Sequence, residues 1–305
     1  MSRDLRSIRP AAAAAPTADP ARTIAFQGAP GAYSDLACRT ARPELATLPC
    51  RSFEDAFATL HDGLANLAMI PIENSVAGRV ADIHHLLPNS GLHIIGEHYQ
   101  RMNHHLLAVP GARLADLTRV HSHIHALNQC RKLIQELGLE AVVRLDTAGA
   151  AEEIAAAGDP SQAVIASELA GDIYGLVSLR ANIEDATHNT TRFLIMARDA
   201  VVPHPKSAPS MTSFVFRIRN VPAALYKALG GFATNGLNMT KLESYLVGAR
   251  FAAAQFYAEV EGHPEHRNLK LALEELDFFS REVRILGVYP QHPYRWEGTG
   301  ENDES

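Results

Sequence analysis

The sequence predicts an α/β protein with two lobes and a smaller C-terminal domain. Through residues 23–200, short apolar runs alternate with segments of helical periodicity, which is the pattern of a parallel sheet covered by helices. Over residues 211–290 the predicted order changes to strand–helix–strand–strand–helix–strand (βαββαβ), the order of a ferredoxin-like domain. The proline-rich residues 201–210 are predicted to link the two parts.

The first lobe is predicted to comprise residues 23–98 and 177–200. It opens with a strand, TIAFQG, a turn, APGAYS, and a helix, DLACRTAR. Phe53, Phe57 and Leu60 then recur at helical spacing within SFEDAFATLHDGLA. The next elements are a strand, LAMIPI, a loop, ENSVAGR, and a short helix, VADIHHLL.

The second lobe is predicted to comprise residues 99–176, where strand–loop–helix units recur. These units are RVHSHIHALNQCRKLIQELG, AVVRLDTAGAAEEIAAAG and QAVIASELAGDIYG. Leu127, Cys130 and Leu133 lie three residues apart, so the first unit is predicted to contain one continuous helix.

The chain is expected to cross between the lobes near residues 97–101 and 175–179, with a cleft at the crossings that closes over a ligand. Residues 1–22 are rich in arginine, alanine and proline, and residues 291–305 end in EGTGENDES. Both segments are predicted to be disordered tails.

Composition excludes several classes of protein. The 305 residues are 47% hydrophobic and 20% charged, which is typical of a globular protein, and the formal charge of −6 disfavours nucleic-acid binding. The apolar runs are too short for a membrane span, and the N-terminus lacks the continuous apolar segment of a secretory signal. Three widely spaced cysteines indicate a reducing cytoplasm without a disulfide framework or a zinc site: Cys38, Cys50 and Cys130.

Polar residues collect at the predicted carboxyl ends of the strands, where open α/β sheets bind ligands. They are hydroxyls, amides and helix starts, a set that suits a small carboxylate anion. The segments are Gln27–Ser34, Glu73–Ser75, Ser122–Gln129, Thr147–Gly149 and Asn189–Arg192. GAPGAYS is not a phosphate loop, because no Lys-Ser/Thr follows and the GxGxxG spacing is absent.

Three local alternatives stay open at this point. His121, His123 and His125 share a face if the segment is extended, but no acidic residue stands at ligand spacing, which disfavours a metal site. Glu73 is either an acid/base residue or a loop carboxylate that caps the following helix. The NTTRF segment before an apolar strand is either a solvated turn or the mouth of a ligand site.

Four motifs in order resemble prephenate dehydratase with a C-terminal ACT regulatory domain, over Thr23 to about Pro290. GAPGAYSDLA is similar to the family's opening glycine turn, with Ala32 where threonine is frequent. IPIENSVAGRV and NTTRF match family signatures, and VHSHIHALNQC has Ile124 and His125 in place of Pro-Gln.

The resemblance implies a catalytic module like type II periplasmic binding proteins and the conversion of prephenate to phenylpyruvate, without metal or organic cofactor. By motif, Thr191 is the expected catalytic residue, supported by Glu73, Asn74, Ser122 and Gln129. Arg192 is expected to bind a substrate carboxylate. The full set of expected substrate-binding residues is Ala32, Tyr33, Ser34, Ser75, Thr147, Asn189, Arg192 and Phe193.

The ACT resemblance implies L-phenylalanine as an effector and assembly into a homodimer or homotetramer. Tyr245 and Leu246 stand where the family has Arg-Pro, and Ala223 stands where it has a glycine. The expected effector-binding residues are Pro222, Ala223, Ala224, Leu225, Asn235, Leu237, Asn238, Glu243 and Ser244.

Two other functions remain possible from sequence. Arogenate dehydratase carries out the same elimination on the transaminated substrate, and the reacting ring is identical. A non-enzymatic amino-acid-binding or solute-binding protein has similar lobes, although the IENS and NTTRF motifs favour an enzyme.

Overall fold

The computed structural model describes residues 19–219, 221–246 and 253–297. The strands are β1 (Thr23–Gln27), β2 (Ala46–Cys50), β3 (Leu67–Asn74), β4 (Gly78–Arg79), β5 (His93–Arg101), β6 (His105–Ala108), β7 (Arg119–His123), β8 (Glu140–Arg144), β9 (Gln162–Ala166), β10 (Val177–Ala181), β11 (Thr190–Ala197), β12 (Ser210–Ile218), β13 (Met239–Leu246), β14 (Ala253–Glu261) and β15 (Ser280–Pro290). The helices are α1 (Tyr33–Ala41), α2 (Phe53–His61), α3 (Ala81–Leu86), α4 (Ile124–Gln129), α5 (Arg131–Glu136), α6 (Thr147–Ala157), α7 (Glu168–Tyr174), α8 (Ala224–Thr234), α9 (Arg267–Phe279) and α10 (Tyr294–Glu297).

The first lobe is a sheet in the order β5-β11-β3-β1-β2, with β4 paired to β3. β1 runs parallel to β2 and β3, whereas β11 runs antiparallel to β3 and β5. One face packs against the α1 residues Ala37 and Cys38, and the other packs against Phe57 and Leu60 of α2. The ends of β3 and β11 meet at one edge, and this edge carries the site described below.

The second lobe is a separate sheet in the order β10-β6-β9-β7-β8. Two α/β lobes were predicted and are confirmed, but their limits differ from the prediction. Residues 177–181, expected in the first lobe, form β10, which pairs antiparallel with β6 of the second lobe. β5 stays in the first sheet as far as Arg101. The crossings therefore lie at residues 102–104 and 182–189, because edge pairing with β6 assigns β10 to the second lobe.

The helix predicted after β7 is two helices, α4 and α5, separated at Cys130. The carboxylate of Asp185, in the returning crossing, accepts hydrogen bonds from the backbone N–H groups of Arg131 and Lys132. A carboxylate at this position satisfies the free N–H groups of a new helix start. The apolar spacing predicted the buried face correctly, but the break depends on this distant carboxylate.

The C-terminal domain has the predicted βαββαβ order, and its strands lie in the ferredoxin-like order β13-β14-β12-β15. β15 also runs beside β5 at Gly287 and Ile94, so the sheet continues from this domain into the first lobe. A Cβ atom at Gly287 would overlap the backbone of Ile94. Met211, Val215 and Tyr289 belong to the same buried cluster as first-lobe residues. The two parts are therefore packed as one body along this seam.

The segment after β15 corrects the predicted C-terminal tail. Residues 291–297 return to the first lobe, where the ring of Tyr294 stacks on Tyr99 with centroids 4.6 Å apart. The guanidinium of Arg295 donates to both carboxylate oxygens of Glu97, at 2.7 and 2.8 Å. The polar composition of residues 291–297 gave no indication that this segment packs against the first lobe. Residues 1–18 and 298–305 of the predicted tails lie outside the described residues.

Candidate active site

The pairing of β3 with β11 sorts the predicted site residues onto two faces of the sheet. Asn74 lies opposite Thr191, and Glu73 lies opposite Arg192. Adjacent side chains of a strand point to opposite faces. Asn74 and Thr191 therefore share one face, and Glu73 and Arg192 share the other.

A hydrogen-bonded group of neutral side chains lies on the face of Thr191. The Nδ2 atom of Asn74 donates to Thr191 Oγ1 at 2.9 Å and to Asn189 Oδ1 at 2.8 Å. The Oδ1 atom of Asn74 accepts from the backbone N–H groups of Val76 and Ala77, at 2.9 and 2.8 Å. These two backbone donors fix which end of the amide is which. Asn74 must therefore be the donor to Thr191, and the hydroxyl hydrogen of Thr191 is available to a ligand.

The same group extends across the crossing into the second lobe. Gln129 Oε1 lies 2.9 Å from both Asn189 Nδ2 and His104 Nε2, and His104 Nδ1 lies 2.7 Å from the hydroxyl of Tyr33. Burial lowers the pKa of His104, so the ring is neutral near neutral pH. The hydrogen on Nε2 then goes to Gln129, and Nδ1 is an acceptor. It shares the single hydroxyl hydrogen of Tyr33 with the carbonyl of Asn103, which lies 2.7 Å from the same hydroxyl. The chain of contacts thus joins Tyr33 and Thr191 of the first lobe to Gln129 of the second.

Ser75, an expected substrate-binding residue, makes its hydrogen bonds to the backbone near the start of β11. Ser75 Oγ donates to the carbonyl of His188 at 2.9 Å and accepts from the backbone of Thr190 at 3.0 Å, which ties the loop after β3 to the start of β11. Sequence reasoning missed His104. Its only sequence signal is the MNHH segment, which stands at the crossing.

The glycine turn is seated against the second lobe. Gly31 has φ +86°, and a Cβ there would lie 2.8 Å from the Cα of Ala170. The carbonyl of Gly31 accepts from Ser167 Oγ at 2.6 Å, and Tyr174 donates to the carbonyl of Pro30 at 3.0 Å. Only glycine fits this approach. The turn therefore brings α1 up to the second lobe beside the crossings.

Three residues expected to bind substrate lie at helix starts. Ala32 precedes α1 without a side-chain cap, and Ser34 lies in its first turn. Thr147 begins α6, whose preceding Asp146 accepts from the N–H of Gly149 at 2.6 Å. Phe193, by contrast, is buried in the first-lobe core and anchors β11 there, which corrects its expected contact with substrate.

Ser122 is also placed differently from the expectation. It is fully buried in the second-lobe sheet, where its hydroxyl donates to the carbonyl of Ile165 at 2.6 Å. The hydroxyl is thus used within the lobe and is not part of the hydrogen-bonded group around Thr191. Its neighbour His123 caps α4, since its Nδ1 accepts from the N–H of His125 at 3.3 Å.

Glu73 and Arg192 belong to a separate charged cluster, and this corrects their expected roles beside Thr191. Arg192 is 4% exposed and contacts carboxylates from both parts of the protein. Its contacts are Glu97 at 2.8 Å, Glu73 at 2.9 Å and Glu259 at 2.7 Å. Glu73 also accepts from Lys241 at 2.5 Å. The two-residue period of the strands places both side chains on the face opposite Thr191, where they line a small cavity with Thr190, Tyr99 and Tyr294.

Six charged side chains at the seam between the first lobe and the C-terminal domain form an interdomain ion cluster: Glu73, Glu97, Arg192, Lys241, Glu259 and Arg295. Burial alone would raise the pKa values of Glu73 and Glu97, but the neighbouring cations outweigh burial and lower both pKa values. Burial disfavours the charge on Arg192, yet Glu259 and the other anionic neighbours raise its pKa above the usual range. Glu73, Glu97 and Arg192 are therefore charged at neutral pH.

The expected effector residues lie at the start of α8 and along β13. Ala223 adopts φ +60°, the left-handed conformation that favours the glycine of the family pattern. Asn235 Nδ2 donates to the carbonyl of Gly231 at 2.8 Å and so closes α8. Glu243 is paired with Arg79 of the first lobe at 2.9 Å. Of the other expected positions, Ala224 is buried, Leu225 and Leu237 are half-buried, and Pro222, Asn238 and Ser244 are exposed.

Tyr245 explains part of the departure from the family pattern. Its ring is 7% exposed and lies in the buried cluster that joins the C-terminal domain to the first lobe. It contacts the ring of His85 edge-on, with centroids 6.0 Å apart. The residue in place of the family's arginine therefore packs between the domains.

In the part of the chain that the structure describes, no group of three or more metal-ligating side chains is placed to hold an ion. Among the described helices, none is long and apolar enough to cross a membrane. The three cysteines are buried as free thiols.

Comparison with known proteins gives a consistent result. The family model of prephenate dehydratase matches residues 24–201. A bifunctional N-acyl-homoserine lactone acylase/prephenate dehydratase of Komagataeibacter europaeus is 56% identical over 274 residues, which cover 90% of this chain and 98% of that protein. The chloroplastic arogenate dehydratase/prephenate dehydratase 1 of Arabidopsis thaliana is 39% identical over 281 residues, which cover 88% and 71%.

A solved structure agrees with these matches. The prephenate dehydratase of Arthrobacter aurescens, in complex with L-Phe, is 29% identical and has a TM-score of 0.81, covering 88% of this chain and 90% of that one. The family model spans more than half of the chain, and the matched relatives are aligned over most of their length. The resemblance seen in the four motifs is confirmed, and the chain belongs to the prephenate dehydratase family of enzymes.

Proposed function

We propose that this enzyme converts prephenate to phenylpyruvate, carbon dioxide and water, with Thr191 as the donor to the departing hydroxyl. The bond between the ring and its carboxylate breaks, and its electron pair enters the ring and expels hydroxide from the opposite carbon. Aromatisation drives the reaction, so no base has to remove a proton from carbon. The protein has to hold the two carboxylates and stabilise the leaving oxygen.

The orientation of the Asn74 amide carries this proposal. Because Asn74 donates to Thr191 Oγ1, the oxygen is polarised and its own hydrogen remains for the leaving group. The charge that develops on the threonine oxygen during proton donation is stabilised by the same Asn74 donor. Asn189, at the end of the crossing, accepts from Asn74 and in turn donates to Gln129 of α4.

The substrate carboxylates need donors other than Arg192, whose guanidinium is occupied. The first turn of α1 is suitable, because its N-cap Ala32 offers no side-chain acceptor to the free N–H groups. The carboxylate of Asp35 in the same turn is already paired with Arg39 and with the N–H of Gly31. Ser34 adds a hydroxyl at the same place. We assign one carboxylate to this helix start.

The test is steady-state kinetics of the full-length protein. Thr191→Ala should lower kcat about 10²–10³-fold, the range for removal of one such donor, while KM changes much less. Thr191→Ser keeps the hydroxyl and should retain most of the activity. Thr190→Ala is the control, because Thr190 lies on the other face and contacts Tyr294 at 3.3 Å. Equal and mild effects at both threonines would refute the role of Thr191.

The choice between prephenate and arogenate follows from the same assay. Relatives carry both names, and the two substrates differ only in a keto or amino group on the side chain. Comparison of kcat/KM for the two substrates decides between them. Turnover of neither, together with tight binding of an amino acid, would favour the solute-binding alternative.

We propose L-phenylalanine as the effector and a homodimer or homotetramer, with the reaction in the cytoplasm. The complex of the Arthrobacter relative with L-Phe and the left-handed turn at Ala223 support binding near the start of α8. An effector changes activity only if it binds one state better than another. Calorimetry with L-phenylalanine, with and without a saturating substrate analogue, tests this. No heat and no change of rate would refute the proposal.

The Komagataeibacter relative also bears the name of an N-acyl-homoserine lactone acylase, at 56% identity. On that observation we propose a second assay, with an N-acyl-homoserine lactone as substrate. If Thr191→Ala loses dehydration but keeps acylase activity, the two reactions use different groups. Absence of lactone turnover in the wild type would remove this second function.

A further inference from the structure

The C-terminal domain holds the residue next to Thr191. Arg192 donates to the hydroxyl of Tyr289 at 3.2 Å and lies 2.7 Å from Glu259, and both partners come from the C-terminal domain. Glu259 is fully buried, and its other oxygen accepts from Tyr257 at 2.5 Å. The strand that carries the proposed donor is thus fastened from behind by another domain.

The charges of the interdomain ion cluster come from both sides of the seam between the first lobe and the C-terminal domain. The first lobe supplies Glu73, Glu97 and Arg192, which sum to −1, because two negative charges meet one positive charge. The C-terminal part supplies Lys241, Glu259 and Arg295, which sum to +1. Lys241 also lies 3.7 Å from Glu243, which pairs with Arg79 of the first lobe at 2.9 Å. With this pair included, the formal charges of each side sum to zero, and docking provides the buried Arg192 and Glu259 with each other as partners. Unpaired buried charge is strongly unfavourable, so this complementarity fixes how the domains sit.

The interdomain ion cluster contacts both strands that carry the proposed site residues, β3 through Glu73 and β11 through Arg192. Lys241 holds Glu73, whose neighbour Asn74 donates to Thr191 on the opposite face. Glu259 holds Arg192, the neighbour of Thr191 itself. Each of the two residues in the key hydrogen bond therefore has its adjacent residue fixed by the C-terminal domain.

The pairing of β3 with β11 is irregular close to the Asn74–Thr191 hydrogen bond. The pairing of β3 with β11 shifts between Arg192 and Phe193, where one extra residue of β3 bulges out. A bulge bends the strand and interrupts the ladder of backbone hydrogen bonds. Beyond the bulge, the pairing ends with Asn74–Thr191 and one backbone hydrogen bond, from the N–H of Ser75 to the carbonyl of Thr190 at 2.9 Å. Side-chain contacts on the other face add to what holds this end.

We propose that Glu259 and Lys241 of the C-terminal domain are positioning residues for the dehydration. By holding Arg192 and Glu73, they set the separation of β3 and β11 on which the Asn74–Thr191 hydrogen bond depends. This inference rests on the proposed role of Thr191. It makes the C-terminal domain part of the catalytic geometry even without effector, and it provides the path by which a shift of β13 reaches the cleft.

The first test is Glu259→Gln in the full-length protein. The introduced amide keeps the shape of the side chain but not its negative charge. It either accepts from Tyr257 and turns its NH2 group toward Arg192, or accepts from Arg192 as a neutral partner, so the guanidinium loses an anionic contact in both orientations. The expected result is a 10–100-fold fall in kcat with KM within about threefold, because misplacement of about 1 Å costs rate rather than binding. Lys241→Met should give the same division between kcat and KM.

Glu282→Gln is the matched control. It is the same substitution in the same domain, but Glu282 pairs with Arg217 at 3.5 Å on the surface, where the two side chains are 48% and 41% exposed. Its kcat should equal that of the wild type. Circular dichroism at the assay temperature establishes that each variant is folded. If Glu259→Gln does not fold, Lys241→Met decides the matter, since Lys241 contacts the first lobe from the edge strand β13.

Combination with Thr191→Ala separates positioning from simple stabilisation. If Glu259 acts through Thr191, the double variant should be as slow as Thr191→Ala alone. Multiplied losses, or an unchanged kcat in folded Glu259→Gln and Lys241→Met, would overturn the inference. The proposed function fails separately, by full activity of Thr191→Ala with Glu259 intact.

Discussion

Replacement of Asn74 by aspartate reverses one hydrogen bond in the candidate site and leaves the fold in place. The carboxylate of Asn74→Asp still accepts from the N–H groups of Val76 and Ala77, as the amide oxygen does now. It cannot donate to Thr191, so it accepts the hydroxyl hydrogen that, in the proposed mechanism, Thr191 gives to the leaving group. It also faces the oxygen of Asn189, which now accepts from Asn74 at 2.8 Å.

The expected loss of rate is at least that of removing the threonine hydroxyl. Deletion of one donor to a developing oxyanion costs about 10²–10³-fold in kcat, or roughly 2.7–4 kcal/mol. The variant loses that donor and adds a negative charge near a substrate with two carboxylates. The unfolding free energy should fall by about 1–3 kcal/mol, since the buried oxygen of Asn189 loses one partner.

The assay is formation of phenylpyruvate from prephenate as a function of pH, beside thermal unfolding. An ordinary aspartate has a pKa near 3.9, and its protonated form donates again, so part of the lost rate should return as the pH falls toward about 4. Asn128→Asp is the control, because Asn128 Oδ1 only accepts from Arg131, at 2.6 and 3.2 Å. If folded Asn74→Asp keeps kcat within about threefold of the wild type, the direction of the hydrogen bond is not what drives the reaction.

Gly287→Ala should separate the C-terminal domain from the first lobe, because a Cβ there overlaps the backbone of Ile94. The expected results are a lower melting temperature and faster proteolysis of the linker, and a stability equal to that of the wild type would contradict the described seam. Ala223→Gly should raise the unfolding free energy by about 0.5–1 kcal/mol, because relief of the left-handed strain at residue 223 outweighs the flexibility gained in the unfolded chain. Denaturant unfolding measures this free energy, and a lower value than the wild type would argue against the positive φ. The lowered pKa values of Glu73 and Glu97 mean that the folded state binds protons less readily than the unfolded state. The two carboxylates therefore stabilise the fold fully above about pH 4.3, and this stabilisation is lost as the pH falls through their folded pKa values. Acid unfolding of Glu97→Gln should show a shallower pH dependence than that of the wild type.

The sequence by itself determined the architecture and most of the neutral group in the site. Alternation of apolar runs predicted both lobes, and the βαββαβ order predicted the C-terminal domain, because periodicity depends on local burial. The motifs selected Asn74, Gln129, Asn189 and Thr191, which the structure brings into one hydrogen-bonded group. These elements needed only patterns within short segments.

Only the tertiary structure decided on which face of the sheet each predicted residue lies and what covers that face. Glu73 and Asn74 are adjacent, as are Thr191 and Arg192, and the two-residue period separates each pair without saying which face is covered. The covering element is the C-terminal domain, whose Glu259 meets Arg192 at 2.7 Å. The placement of β10 was also decided by tertiary structure, because β10 pairs with β6 and becomes the edge strand of the second lobe. Such choices depend on contacts between residues far apart in the chain, and burial of charge against its partner settles them.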